Sequence, residues 1–438
     1  MLIDKIIKIT TSFYFLLFIL FLSIIFIIIF IYWIFLIYYF KFKSRFWYNQ
    51  PVFHLYDFQY YFYNKGIIMK KLPEKNNYTD FKNIESVFIK SVSTKNIDDC
   101  VSLLQKHYFK NKDNKYYPKK ENILPYLNNS KSVITFYFLK DNFDETNKKM
   151  IGCMTGHPLE VCITKENICF SIYYIDFLCV NKKYRGKQLA EKIIQTHEYT
   201  QRFLNKNISV SLFKREDELT GIIPLCIYKT YAFSMEKWCA YDNIIFDIEY
   251  KILFVDSQNL YLLNEFIHSQ KTKKKYEISI MMDLYDLQEL IITKNIYVIM
   301  IIKNDEVIYS YFLRKTCTFV TIDTQFISLF ASININNNNK DNNKLFIEGF
   351  KVSLSRLLIK LNTQKDITYP GSKNSTNSIK LKNNLTYSHL IVEDISDNYL
   401  IIDNLKIKTK PELISPTAYF FYNFAHQPFN SKDVLIIS

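Results

Sequence analysis

The sequence predicts an α/β protein built as two similar halves behind an N-terminal apolar helix. Three observations predict it. Residues 9–40 hold no charged side chain in 32 positions. Two pairs of apolar, β-branched runs, "SVITFYFL" with "KMIGCMTGHPLEVCI" and "NIYVIMIIK" with "EVIYSYFLRK", are each separated only by a short polar segment, the mark of a hairpin. An apolar run at 172–180 turns through a basic, glycine-containing corner into residues with helical spacing. The length, 438 residues, fits two or three ordinary domains or one large α/β unit.

The apolar stretch is Phe, Ile, Leu and Tyr almost throughout. A bilayer core needs about 20 such residues, so a membrane span is expected at about 12–40. A signal peptide has an apolar core of only about 7–15 residues and a small-residue cleavage site, and this stretch has neither; the anchor is expected to be permanent. Lys5 and Lys8 precede it, whereas Lys41, Lys43 and Arg45 follow it. The positive-inside rule then expects a single-pass protein whose C-terminal domain faces the cytosol.

Eight cysteines show no C-x-x-C pair and no metal-ligand spacing, so no metal site is expected and all eight read as reduced, mostly buried thiols. The net charge of +14 fits nucleic acid, an anionic membrane surface or a phosphate-bearing ligand. No nucleic-acid recognition motif accompanies it. An anchor already places the chain beside anionic lipid, and a lysine-rich coding bias would give the same excess.

Val101, Leu104 and Tyr108 are spaced as one face of a helix ahead of the first strand pair. The expected organisation is an anchor at 1–44, a first half at 45–245 and a second at 246–438. Two polar, low-complexity segments, near 334–344 and 362–384, read as disordered loops.

The corner carries the chemistry. A strand-to-helix turn leaves the first N–H groups of the helix unpaired and its positive dipole end exposed, a natural anion site. Gly186 permits close backbone approach, and Lys182, Lys183, Arg185 and Lys187 add positive charge. A merely basic surface turn would have the same composition. His197, on the following helix, reads as a packed residue.

This corner resembles the pyrophosphate turn, Q/R-x-x-G-x-G/A, of the Gcn5-related acyltransferases: Arg185 and Ala190 fit its ends, while Gln188 stands at the middle glycine. "DFLCVNKKYRGKQLA" at 176–190 is closer to N-F-L-C-V-H-K-K-L-R-S-K-R-L/V-A of the N-myristoyltransferases, a duplicated branch of that superfamily. "FWYNQPV" at 46–52 resembles that family's F-W-x-T-Q-P-V, and "AYFFYNFAHQPFNSKDVLIIS" at 418–438 resembles its closing segment. The similarity covers about residues 45–438.

The resemblance implies two pseudo-symmetric Gcn5-related halves with mixed sheets, and transfer of a long acyl group from acyl-CoA, myristoyl-CoA in the family, to an N-terminal glycine or other protein amine. It implies an oxyanion site at the main-chain N–H groups of Phe177 and Leu178. Acyl-CoA contacts fall on Arg45, Phe46, Trp47, Cys179, Val180, Gly186, Gln188, Leu189 and Ala190, with Arg185 and Lys187 adding charge. The base implied is the α-carboxylate of Ser438, drawn inside by the apolar "VLIIS". Acyl-CoA is a co-substrate rather than a resident cofactor, and the protein is expected to be a monomer.

The peptide side departs from the pattern. "HYFKNKDN" at 107–114 has lysines where the family has an acidic loop. "KRE" at 214–216 and "ELIS" at 412–415 replace threonine-alanine-glycine and G-D-G, and Asp176 replaces an asparagine. A second reading is therefore an anchored acyl-CoA or lipidated-peptide binding protein without turnover. A generic single-domain acetyltransferase would leave nearly half the chain unexplained.

Overall fold

A computed structural model describes residues 2–43, 45–109, 115–140, 148–217, 219–235, 249–320, 324–335, 339–363 and 387–438. The apolar helix is α1 (Leu2–Lys43), followed by the short α2 (Arg45–Tyr48). Next come β1 (Gly66–Ile67), β2 (Ile84–Phe88), α3 (Thr94–His107), β3 (Lys115–Tyr116), α4 (Lys120–Ile123), β4 (Val133–Lys140), β5 (Lys148–Ile163), β6 (Ile168–Val180), α5 (Leu189–Leu204), β7 (Ser211–Glu216) and β8 (Cys226–Ser234). The later part adds β9 (Tyr250–Phe254), α6 (Leu260–Thr272), β10 (Ile278–Met281), α7 (Leu284–Ile292), β11 (Ile296–Lys303), β12 (Glu306–Phe319) and β13 (Gln325–Asn334). It closes with α8 (Lys340–Thr363), β14 (Tyr387–Glu393), α9 (Asn398–Lys408), β15 (Leu413–Tyr422), β16 (Phe424–Ala425) and β17 (Val434–Ile437).

One succession occurs twice. In the first, β2, β4, β5 and β6 pair antiparallel in turn, and α5 then carries the chain back so that β7 runs parallel to β6. In the second, β9, β11, β12 and β13 pair antiparallel, and α8 returns the chain so that β14 runs parallel to β13. Parallel neighbours require such a crossover. Both hairpins read from the alternating apolar runs are present. The two sets share one sheet, because β15 from the later part pairs with both β7 and β8, and β10 pairs with β5. Strands that would otherwise present unpaired edges are thereby covered.

α1 keeps its apolar surface outward. Phe13–Tyr39, 27 residues of mean hydropathy 3.3, is long and apolar enough to cross a membrane, and none of it is buried in the protein. At 1.5 Å per residue it is about 40 Å long, against a hydrocarbon core of about 30 Å. It touches the folded body where the Trp33 indole N–H donates to the Tyr56 carbonyl at 3.3 Å.

Two expectations are corrected. The asparagine-rich segment near 334–344 is not a disordered loop over its described residues. Asn334 ends β13 fully buried, its N–H donating to Asp397 at 2.8 Å and its side chain to Asn343 at 2.9 Å, while Lys340 opens α8. Buried hydrogen-bond partners offset the low apolar content that suggested disorder. The segment near 362–384 lies outside the described residues apart from the end of α8. The cysteines are not all reduced: Cys162 and Cys169 face each other across the β5–β6 hairpin and form a disulfide. Their separation of seven residues brackets a tight turn, a geometry that a search for C-x-x-C misses. Cys100, Cys153, Cys179, Cys226 and Cys317 are free and buried.

Candidate active site

The sheet opens beside the strand that enters the basic corner. β6 and β7 pair only at Tyr173–Ser211, Tyr174–Leu212 and Ile175–Phe213, then part. Immediately afterwards β6 bulges. Asp176 faces Thr155 and Cys179 faces Cys153, so Phe177 and Leu178 together oppose the single residue Met154. Phe177 takes a left-handed φ of 52°, a conformation that costs a side-chain-bearing residue of order 1 kcal/mol or more. Its ring compensates by packing with Leu104, Cys153 and Cys179. The Phe177 N–H, turned out of the ladder, donates to the Asp176 carboxylate at 2.7 Å.

Two cavities meet at this bulge. One, of about 860 Å³, runs from Arg45 and Trp47 along the inner face of α5 to Glu198 and Ser211. The other, of about 530 Å³, lies on the side of β8, β12 and β14. Both are lined by Tyr108, Ile175, Asp176, Phe177, Lys214 and Glu216, so the parted strands form a passage between them.

Of the residues implied for the donor, Arg45, Phe46, Trp47, Phe177, Leu178, Gln188 and Ala190 line the larger cavity. Cys179, Val180, Arg185, Gly186, Lys187 and Leu189 do not. Cys179 and Val180 are buried behind it. The aromatic residues of α2 are fixed by packing: Phe46 lies edge-on to Tyr78 at 5.1 Å, and Trp47 stacks on Phe213 at 5.5 Å. Gln50 is held by the Tyr422 hydroxyl at 2.6 Å, and the Asn423 N–H donates to the Pro51 carbonyl at 3.0 Å. Two motifs at opposite ends of the chain therefore build one wall.

The corner itself leaves backbone donors free of side-chain caps. Gly186 has φ +79°, and Gln188, the residue before α5, is left-handed at 57° with no side-chain cap on the helix. Lys182, Lys183 and Lys187 are exposed. Arg185 plays a different part from the one expected: its guanidinium donates to the Val180 carbonyl at 3.1 Å and to the His107 carbonyl, tying the corner to α3. Below it His197 is fully buried, hydrogen-bonded to Thr135 at 2.7 Å, and burial pushes its pKa down to about 3, so it stays neutral as a packed residue.

The smaller cavity is built from charge. Lys214 sits between Glu216 at 2.9 Å and Glu393 at 3.1 Å; burial works against its charge, but the two carboxylates outweigh burial and raise its pKa. Lys214 in turn holds the Glu216 carboxyl below its usual range. Glu393 also accepts from the Tyr228 hydroxyl at 2.6 Å. Asp217 accepts from Ser415 at 2.6 Å. Burial pushes the Asp176 carboxyl up, opposed by the Phe177 N–H, Arg314 and Lys214. The replaced motifs "KRE" and "ELIS" thus do face this cavity, through Lys214, Glu216, Leu413 and Ser415. The lysines of "HYFKNKDN" lie outside the described residues.

Ser438 is buried, 2% exposed, after a fully buried β17. β17 runs parallel to β10, with the Ile437 carbonyl accepting the Met282 N–H at 3.0 Å, and Ser438 lines neither cavity at the bulge. Glu198, Arg314 and Glu393 were absent from the sequence reading. The available signal was a charged residue at the end of an apolar strand pattern, "YSYFLR" and "HLIVE". Among the described residues no group of three or more His, Cys, Asp or Glu side chains is placed to hold a metal ion.

Comparison with known proteins gives the geometry a context. Residues 69–226 match the family described as myristoyl-CoA:protein N-myristoyltransferase, N-terminal domain. Glycylpeptide N-tetradecanoyltransferase of Plasmodium falciparum is 26% identical over 178 residues, 40% of this chain and 42% of that protein. The aligned part is thus about two-fifths of the length of the curated relatives. The crystal structure of Saccharomyces cerevisiae N-myristoyltransferase with bound myristoyl-CoA is similar at a TM-score of 0.64 and 13% identity, covering 89% of this chain and 94% of that one. A tandem Gcn5-related protein of the clavulanic acid pathway is similar at 0.50 and 8% identity, covering 79% of this chain and all of the other. The chain resembles the N-myristoyltransferase family: residues 69–226 match that family's N-terminal domain, and most of its length takes the fold of a member.

Proposed function

We propose that this protein is a membrane-anchored N-acyltransferase that moves a long acyl group from acyl-CoA to a protein or peptide amine. The observation that carries the reading is the meeting of two cavities at a bulged strand, where Asp176 and Phe177 line both. The donor, myristoyl-CoA in the yeast relative's crystal structure, occupies the larger cavity, with its phosphates at the corner and the N-terminus of α5. The acceptor amine enters from the smaller one. Its nitrogen attacks the thioester carbon, the C–N bond forms, the C–S bond breaks and CoA leaves as the thiolate, which takes up the proton released. The N–H groups of Phe177 and Leu178 stabilise the oxyanion, a contribution of about 3–4 kcal/mol per donor in comparable sites. Measuring CoA release by the full-length protein with acyl-CoA and a library of N-terminal-glycine peptides tests this; acyl-CoA binding with no release for any acceptor refutes turnover.

The amine must first lose a proton. We propose as the base the Ser438 α-carboxylate that the family resemblance implies, buried at the end of β17 although Ser438 lines neither cavity. Asp176 is the alternative that the cavities favour, because it lines both. Two added glycines after Ser438 should abolish transfer while acyl-CoA still binds. Full activity in the extended protein, together with its loss in Asp176→Asn, transfers the role to Asp176.

One contact favours the binding-only reading: the Asp176 carboxylate already holds the Phe177 N–H at 2.7 Å, where an oxyanion would need it. A binding protein retains acyl-CoA without release, and Asp176→Asn then fails to elicit any.

The helix Phe13–Tyr39 is proposed as a single span. The basic residues after it argue for a cytosolic body, whereas the Cys162–Cys169 disulfide fits an oxidising compartment. We place the body in the cytosol. Protease protection of sealed vesicles decides, since a protected body refutes that orientation.

A further inference from the structure

Within the smaller cavity each carboxylate has a partner in direct contact, and one cation has none. Asp176 accepts the Phe177 N–H, Asp217 accepts the Ser415 hydroxyl, and Glu216 and Glu393 share Lys214. Arg314, on β12, lines the same cavity; among the described residues its side chain makes no contact ion pair and no hydrogen bond, and the carboxylates of Asp176, Glu216 and Glu393 act on it only at longer range. Its Nε is buried without a partner, and the guanidinium lies over the Phe330 ring at 4.3 Å. Tyr126 and Tyr174 line the cavity beside it, their hydroxyls making no hydrogen bond among the described residues. A guanidinium stays charged in proteins, and an unpaired buried donor costs about 1–3 kcal/mol. The ring beneath Arg314 fixes its plane but satisfies none of its five donors. Two hydroxyls and a fork of N–H groups facing open space complement a planar anion.

We propose that Arg314 is an anion-recognition site for the acceptor, which therefore carries an acidic side chain within its first few residues. This rests on reading the smaller cavity as the acceptor's. Because Asp176 and Phe177 line the same cavity, an amine at the bulge and a carboxylate at Arg314 belong to one molecule. A glutamate or a phosphoserine would supply the same chemistry.

The test uses full-length protein in detergent, loaded with a non-hydrolysable myristoyl-CoA thioether. Fluorescent hexapeptides beginning with glycine carry a single Glu, phosphoserine, Ser or Lys at each of positions 2–5, and binding is read by anisotropy. At one position Glu or phosphoserine is expected to bind about tenfold or more tighter than Lys, and the stronger of the two names the natural anion. Arg314→Met should erase that preference while acyl-CoA binding persists, and Arg314→Lys should keep part of it. Acidic peptides binding no better than lysine peptides, no peptide binding at all, or a preference that survives in Arg314→Met, overturns the proposal. CoA release with hydrolysable myristoyl-CoA separates the two claims: tight acidic peptides that are never acylated leave the anion site standing and sink the transferase reading.

Discussion

The two cavities that meet at Phe177 are made differently. The larger one is shaped by backbone: a bulge at Phe177–Leu178 and, at the nearby corner, a left-handed Gln188, a glycine at φ +79° and a helix end with no side-chain cap. The smaller one is shaped by side-chain charge, with Lys214 clamped by Glu216 and Glu393 and the Arg314 Nε buried without a hydrogen bond. Backbone features tolerate exchange of the side chains around them, because the groups that bind are the same N–H groups in every residue. Charge pairs do not, since one substitution leaves a buried partner unmatched. This explains why the motif strings match around the larger cavity and fail around the smaller one.

Perturbations graded by size sharpen that contrast. The largest effect is expected at Gly152, under the corner, where an added Cβ would meet Ile193 Cδ1 at 2.6 Å and the Cys179 carbonyl at 3.3 Å. Gly152→Val should cost about 3 kcal/mol by overpacking, read from chemical denaturation, and should weaken acyl-CoA binding by displacing α5. A well-folded variant with unchanged affinity would mean that the corner does not depend on this packing.

Next is Glu198, at the far end of the larger cavity, where burial pushes the carboxyl up to about 7 from an ordinary 4.5. The fold binds the proton more tightly than the unfolded chain does. Stability is therefore fully present below about pH 4.5 and falls as pH rises to about 7. Glu198→Gln should flatten that fall, with a gain at pH 8 of at most about 3 kcal/mol. Melting curves from pH 4 to 8 that keep the wild-type slope would show that Glu198 does not cause it.

At the corner, Lys183→Glu with Lys187→Glu should lower acyl-CoA affinity about tenfold at low salt and flatten its salt dependence, because exposed contacts are screened. Arg185→Leu should act on stability instead, since its guanidinium binds two main-chain carbonyls. Equal affinity losses in both variants would put Arg185 on the ligand after all.

The smallest expected effect is on the stability of Asp176→Asn. Burial raises this carboxyl's pKa, so ionising it costs stability as pH climbs above the ordinary carboxylate range. The variant should melt slightly higher than wild type at neutral pH and no higher in acid. A lower melting point at neutral pH would mean that the Phe177 contact requires the charge.

The sequence alone determined what is local and periodic. An uncharged run of 32 residues fixes the apolar helix, alternating apolar runs fix both hairpins, and the basic corner announces a strand-to-helix turn, because each signal lies within a few residues of its cause. Only tertiary structure decided the rest. Gln50 meets Tyr422 across 372 positions, β15 enters between β7 and β8, and Arg314 comes to share a cavity with Asp176. The same distance from sequence explains the corrected asparagine segment, where Asn334 is ordered by Asp397 and Asn343, and the disulfide, which forms only once β5 and β6 are in register. Pairing between distant strands is selected by the total burial and hydrogen bonding of the whole sheet, and no local pattern encodes which charge that arrangement leaves unmatched.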